Sequence, residues 1–115
     1  MKTEQPILIT SVEAQSDLSK HYCIKPDGSL ASSEGDSFLG VCNADTLQGE
    51  QMPVMVKGIA LVYSADAIIQ GKMVITSDDG LVSQLEPATT IENYIVGIAL
   101  DSASGANELI RVLLR

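Results

Sequence analysis

The chain has no tryptophan, one phenylalanine and one histidine, and its aromatic residues, Tyr22, Phe38, Tyr63 and Tyr94, make up 3% of it. A core must therefore be assembled from Ile, Val, Leu, Ala and Met, which suits strands packed at short range. Basic residues are also scarce: seven Lys and Arg stand against 15 Asp and Glu, for a formal net charge of −8. They are scattered from Lys2 to Arg115 without a cluster. Phosphate neutralisation needs clustered cations, so no nucleic-acid partner is expected. The acidic excess reads first as a solvated surface. No apolar run approaches the length of a membrane span, so no membrane partner is expected. The polar opening, residues 1–6, is followed by too short an apolar stretch for a secretion signal. If the chain is bacterial in origin, it is expected to be made and used without export.

Sparse chemistry narrows the function further. His21 has no second imidazole to help it, and two cysteines with one histidine would need carboxylates to complete a zinc site; no ligand spacing suggests one. Cys23 and Cys42 lie in apolar runs, and the matching half of the chain has Ile75 and Ala99 opposite them, which argues against a structural bridge and for buried thiols in a reducing compartment. Gly-x-Ser-x-Gly and the phosphate-binding Gly-x-x-x-x-Gly-Lys-Ser/Thr are both absent. Ser77-Asp78-Asp79-Gly80 lacks the alternating oxygen ligands of a calcium loop. The reading is a protein that is not an enzyme, with no catalytic, cofactor-binding or metal-ligating residues to assign and no cofactor. Lys57, between Val56 and Gly58, is a poor match to the Met-flanked lysine of carrier domains and reads as a solvated strand-end residue. Arg111 in an apolar final strand is either an outward residue of an alternating strand or half of an intersubunit ion pair.

What is present is a pattern written twice. Residues 20–28 line up with 72–80, each ending in Asp-Gly; 38–42 line up with 95–99; Gly49 and Gly105 each precede an apolar run, 52–56 and 109–113; and Leu8-Ile9-Thr10 sits where Ile59-Ala60-Leu61 sits. A repeat of about half the chain implies two supersecondary units, residues 7–57 and 58–115, each too small to bury a core alone, so that the two share one. At 115 residues this is a single domain, 7–115, preceded by a loose arm over 1–6.

Short β-branched runs bounded by Gly, Asp, Ser and Pro predict strands over residues 7–12, 21–25, 38–42, 54–62, 73–76, 94–100 and 108–114. In the last, Glu108, Ile110, Val112 and Leu114 share one face; in 94–100, Tyr94, Val96, Ile98 and Leu100 do. The strand 94–100 is apolar or small on both faces, which implies burial from both sides in a tight barrel or between subunits. Asp27-Gly28 and Asp79-Gly80 are hairpin-turn signals. Gly40 and Gly97, inside apolar strands, mark a bulge or a close backbone approach. Helix signal is confined to single turns at 13–18, 64–69 and 87–92. The fold class is all-β: a small barrel or β-clip-like body built from two pseudo-equivalent halves.

The second half, Gly71-Lys72-Met73-Val74, Asp79-Gly80, Ile95-Val96-Gly97-Ile98-Ala99-Leu100-Asp101, Gly105 and Ile110-Arg111-Val112-Leu113-Leu114, resembles the small capsid cement, or head decoration, proteins of tailed bacteriophages and prophages. The first half carries a weaker copy in Gly35 to Val41, Gly49-Glu50 and Val54 to Gly58. The resemblance implies a non-enzymatic protein of the virion. It would sit on the capsid exterior, bind the major capsid protein, form a homotrimer near quasi-three-fold points and clamp the expanded shell. Two other classes compete: a small β-barrel ligand-binding or carrier module of a larger assembly, and a hydrolase of the trimeric β-barrel kind, for which Asp101 is the sole hint.

Overall fold

Apolar, β-branched stretches separated by turn residues form eight strands among the residues that the structure describes: β1 (Gln5–Glu13), β2 (Cys23–Ile24), β3 (Gly40–Cys42), β4 (Gln51–Tyr63), β5 (Met73–Thr76), β6 (Val82–Gln84), β7 (Ile95–Ala99) and β8 (Leu109–Leu114). The computed structural model describes residues 3–33, 36–85 and 95–114. The all-β expectation is met: all the named pairings are antiparallel, in the order β2-β3-β4-β8-β7-β5-β6 with β1 added on β4. A parallel bridge from Ser64 at the end of β4 to Val82 in β6 brings the second half of the sheet round to a nearly closed barrel.

β4 joins the two halves. Its first part lies between β1 and β3, its second part against β8. The two halves therefore repeat one plan: β1, β4, β3, β2 in the first and β4, β8, β7, β5 in the second. Backbone hydrogen bonds recur with it. Ala14 N–H donates to Glu50 O as Ser64 N–H does to Glu108 O; Leu18 and Thr46 bridge as Ile68 and Ala103 do; His21 N–H donates to Cys42 O as Gly71 N–H does to Ala99 O.

These bonds correct the sequence alignment of the repeat. His21, at φ 80°, occupies the place of Gly71 at φ 91°, so Tyr22 matches Lys72 and the expected pairing of Lys20 with Lys72 was two residues out. Gly49 at φ 89° matches Asn107 at φ 63° rather than Gly105, so Met52 matches Ile110. Identity matching followed the Asp-Gly turns, which do correspond, but the strand that leads into the turn is two residues longer in the second half, β5 having four residues where β2 has two. A two-residue slip leaves every side chain on its face; a one-residue slip does not. Accordingly Met52 and Ile110 are both fully buried and Leu109 is not.

The halves do not share one core. One cluster holds Ala14, Leu18, Ile24, Cys42, Met52 and Val54; a larger one holds Ala60, Val62, Ile68, Val74, Val82, Val96, Ile110 and Val112 together with Cys23, Val41 and Met55 from the first half. The cause is an irregularity in β4. Ile9 opposes Met55 while Leu8 opposes Lys57, and Pro6 opposes Gly58. The alternation therefore slips, and the face that carries Met55 continues into Ala60 and Val62. The outer face of the first half becomes the wall of the second core.

Other expectations are revised. Gln5 and Pro6, placed in the loose arm, begin β1 opposite Ile59 and Gly58. Residues 14–18 and 64–68 form bends with β-bridges rather than helical turns, because their N–H groups are claimed by cross-strand carbonyls. The sole helical element among the described residues is a 3-10 turn at Asp78–Gly80, where Asp79 (φ 56°) and Gly80 (φ 75°) turn the chain from β5 to β6. β6 was not anticipated, since Val82-Ser83-Gln84 reads as polar spacer. The turn expected at 87–92, with Tyr94, lies outside the described residues. In β7 a bulge pairs Val74 with Gly97 and Ile75 with Ile95, so Val96 joins Ala99 in the core and the strict alternation expected there fails. Glycine 97 and glycine 40 are close backbone approaches: a Cβ would lie 2.0 Å from Leu113 O and 2.3 Å from Met55 O respectively.

Candidate functional site

The residues that sequence singled out for chemistry are held apart in structural roles. Arg111 takes an outward position of the alternating strand β8, and its charge is paired within the chain. Its Nε lies 3.0 Å from Asp101 Oδ2, its Nη2 2.9 Å from Oδ1, and its backbone N–H also donates to Oδ2 at 3.0 Å. The Asp101 carboxylate, the one hint of hydrolase chemistry, is thus engaged by a bidentate partner ten residues away across the β7–β8 turn. The Arg111 pair forms within the chain. His21 turns its Nδ1 to Leu61 O at 3.1 Å and its ring edge to Tyr63, which lies against Tyr22 at 5.4 Å between centroids.

Cys23 and Cys42 occupy adjacent strands but opposite faces, one in each core cluster, and both are free thiols. Burial pushes the Cys23 thiol up to about 12 and also raises that of Cys42. Neither is poised as a nucleophile. Lys57 is exposed on β4. No group of three or more His, Cys, Asp or Glu side chains among the described residues could hold a metal. Two open grooves share Asp17, Leu18 and Ser19, one continuing to Asp45, Thr46 and Leu47, the other to Tyr22, Leu30 and Asp79. Neither is the enclosed, apolar-lined pocket that a small ligand occupies. No helix among the described residues is long and apolar enough to cross a membrane.

The surface is unusual elsewhere. β1 is exposed at all of its positions except Val12, and Ile7 stands 80% open to solvent, with Leu8 and Ile9 also exposed. It pairs with β4 along one edge. From Gln5 to Val12 the strand carries no charge, in a chain of net charge −8. Edge strands in soluble proteins are normally blunted by charge or covered. An uncharged edge strand with three exposed large aliphatics is a candidate interaction surface. The eight-residue uncharged run was legible in the sequence; its exposure was not, since an apolar strand ordinarily reads as core.

A second exposed apolar surface crosses the sheet. Ile59, Leu113, Ile98 and Met73 are direct cross-strand partners in β4, β8, β7 and β5, with Gln5 of β1 next to Ile59. Leu113 and Met73 are exposed and Ile59 and Ile98 are half-buried.

The exposed apolar strands are candidate contact surfaces. The family model for phage cement proteins matches residues 2–114. The chain belongs to the phage cement protein family. It is a phage capsid-associated structural protein of the virion, as the resemblance implied. Among solved structures, the head fiber gp8.5 N base of bacteriophage phi29 has the same fold, with a TM-score of 0.66 at 16% identity over 94% of this chain and 93% of that one. Comparison with curated protein sequences gives no significant match. Family membership points to a non-enzymatic role, in keeping with the structural use of Asp101 and both thiols.

Proposed function

We propose that this cement-family protein binds the outside of the phage head, with the major capsid protein as its partner, and stabilises the expanded shell without catalysing a reaction. It acts as a homotrimer and is made in the host cytoplasm before joining the head. The observation that carries the reading is β1, a strand exposed at every position but Val12, uncharged from Gln5 to Val12 and paired, among the described residues, with β4 alone. Covering such a strand adds backbone pairing and apolar burial without desolvating a charge. A ligand that binds only the expanded shell stabilises it by mass action, by about 2.7 kcal/mol per site at a free concentration of 100 Kd. The acidic body avoids competition for the packaged DNA.

The test is co-sedimentation of purified protein with expanded, undecorated heads. Saturable binding at a fixed number of copies per capsid subunit, with greater resistance of the heads to heat, is expected. Leu8→Glu should weaken it. Absence of binding to expanded heads refutes the proposal.

A further inference from the structure

Strand β1 has a counterpart inside the molecule. Val12 faces Met52 as Val62 faces Ile110, so Thr10, Ser11 and Val12 correspond to Ala60, Leu61 and Val62 in the second part of β4. The two stretches are held differently. Ala60, Leu61 and Val62 are buried, and the outer edge of their strand is closed as well: His21 Nδ1 donates to Leu61 O, and Ser64 bridges to Val82. Thr10 and Ser11 are exposed, and Val12 is the one residue of β1 that packs on a core cluster. Side-chain burial fixes the stretch in β4, whereas β1 depends on its backbone pairing.

That pairing is short. Pro53 has no N–H, and its carbonyl accepts from Asn43 N–H at 2.9 Å on the β3 side, so Pro53 turns its polar group away from β1. Ser11, its partner, therefore faces its own N–H and C=O outward, and Thr10 and Val12 on either side turn theirs to β4. Toward the start of the strand the register shifts twice, between Pro6 and Leu8 and between Leu8 and Ile9, and Pro6 has no N–H to donate. The ends are fixed unequally. After Glu13 the chain is anchored: Ala14 is buried, its N–H donates to Glu50 O at 2.9 Å, and Gln15 N–H donates to Gly28 O at 3.2 Å. Before Gln5 the tie among the described residues is an ion pair, Glu4 Oε1 to Lys20 Nζ at 2.8 Å, with both side chains partly exposed. Exposed pairs of this kind hold weakly.

We infer that residues 5–12 form a strap, hinged at Glu13 and Ala14 and latched by the ion pair of Glu4 with Lys20, that swings off β4 as a unit while both core clusters stay folded. Opening takes no side chain from the larger cluster and only Val12 from the edge of the smaller one. It uncovers the backbone groups of Met52 and Val54 on the edge of β4, and it lets the strand change its pairing partner without unfolding the body. The opening is a property of the free protein; its use, re-pairing of the strap on docking, rests on the reading of β1 as the head contact.

Amide hydrogen exchange of the full chain, followed residue by residue by NMR over urea concentrations below the unfolding transition, tests it. Leu61 turns its carbonyl outward to His21, so Ala60 turns its N–H to β8 as Thr10 turns its own to β4, and the two positions form an internal control. Protection of Thr10 should lie about 100-fold or more below that of Ala60 and hardly change with urea, whereas Ala60 follows global unfolding. Lys20 N–H donates to Asp45 Oδ1 as Gln70 N–H does to Ser102 Oγ, so Lys20→Gln gives the latch position the residue of the second half. It should lower the protection of Thr10 about two- to fivefold and leave Ala60 unchanged. Equal protection and equal urea dependence at Thr10 and Ala60 overturn the inference, since β1 then opens only with the whole domain. A Lys20→Gln protein in which Thr10 exchanges at the wild-type rate refutes the latch. Co-sedimentation with heads separates the two readings. An opening strap on a protein that binds no heads supports the inference and removes the head contact; head binding by a protein whose β1 does not open removes the inference alone.

Discussion

Replacing Gly97 by alanine tests the account of why the repeat keeps a glycine inside its most apolar strands. A Cβ at this position would stand 2.0 Å from Leu113 O, 2.8 Å from Leu113 C and 3.0 Å from Val112 Cγ1. Backbone atoms cannot rotate away. Restoring an ordinary 3.4 Å contact to the carbonyl requires β7 and β8 to separate locally by about 1.4 Å. Normal strand spacing is about 4.8 Å. Such a movement strains the pairs Gly97↔Leu114, Ile98↔Leu113 and Ala99↔Val112, the whole β7–β8 register. Overpacking costs about 1–3 kcal/mol and each weakened ladder hydrogen bond about 1 kcal/mol. Loss of unfolded-state freedom on Gly→Ala returns about 0.4–1 kcal/mol. The net expectation is a destabilisation of about 3 kcal/mol, out of about 5–15 kcal/mol for a domain of this kind, which lowers Tm by about 10 °C. Thermal and urea unfolding followed by circular dichroism read it directly. Gly105→Ala is the control, since nothing lies within 4 Å of its Cβ position and its φ is not positive. If Gly97→Ala melts within about 2 °C of both the wild type and the control, the close-approach account is wrong.

Ser64 is fully buried; its hydroxyl donates to Gly105 O at 2.6 Å and accepts from Glu108 N–H at 3.1 Å. Ser64→Ala should therefore cost about 2 kcal/mol in urea unfolding, by leaving buried backbone groups unsatisfied; an unchanged midpoint would contradict this. Neither thiol should react with Ellman's reagent in the native protein at neutral pH, and both should react once denaturant is added. The raised Cys23 thiol makes stability greatest below the ordinary thiol value of 9.0 and erodes it as pH climbs from there toward about 12, so a Cys23→Ser variant should show a flatter alkaline limb in pH-dependent unfolding. On the acid side, the Ser29 hydroxyl and N–H hold Asp27 below its usual range, and the Ser32 N–H, with Ser37 and Lys25, does the same for Asp36. Depressed carboxylates contribute above their unfolded value and lose that contribution as pH falls below about 3.8. Asp36→Asn should accordingly flatten the acid limb of the unfolding profile.

Much of this architecture is readable from local pattern. Met73–Thr76 was expected at its observed bounds, and the face shared by Ile110, Val112 and Leu114 is the buried one. Glycine at 40 and 97 announced close approach because no other residue lacks the atom that would collide. What failed to show was whatever depended on register. The repeat was aligned through its Asp-Gly turns, and His21 was not recognised as the counterpart of Gly71, because histidine at φ 80° carries no mark in sequence. Arg111 was read as an outward residue or as half of an intersubunit ion pair; its partner within the chain, Asp101, did not show because it meets Arg111 only when β7 and β8 pair.

The sequence by itself determined an acidic, aromatic-poor all-β chain made of two related halves, with no clustered cations for nucleic acid. Those properties follow from composition and from periodicity within a few residues, where each strand's alternation is written directly. Tertiary structure alone decided which apolar residues are core and which are surface. Cys23, Val41 and Met55 match Met73, Ile98 and Leu113 in chemistry and in strand position, yet the first set is buried and the second is partly open. The difference arises from a slip of alternation in one long strand, β4, where it crosses from one half to the other. Burial depends on what lies across the sheet, and no local pattern carries that.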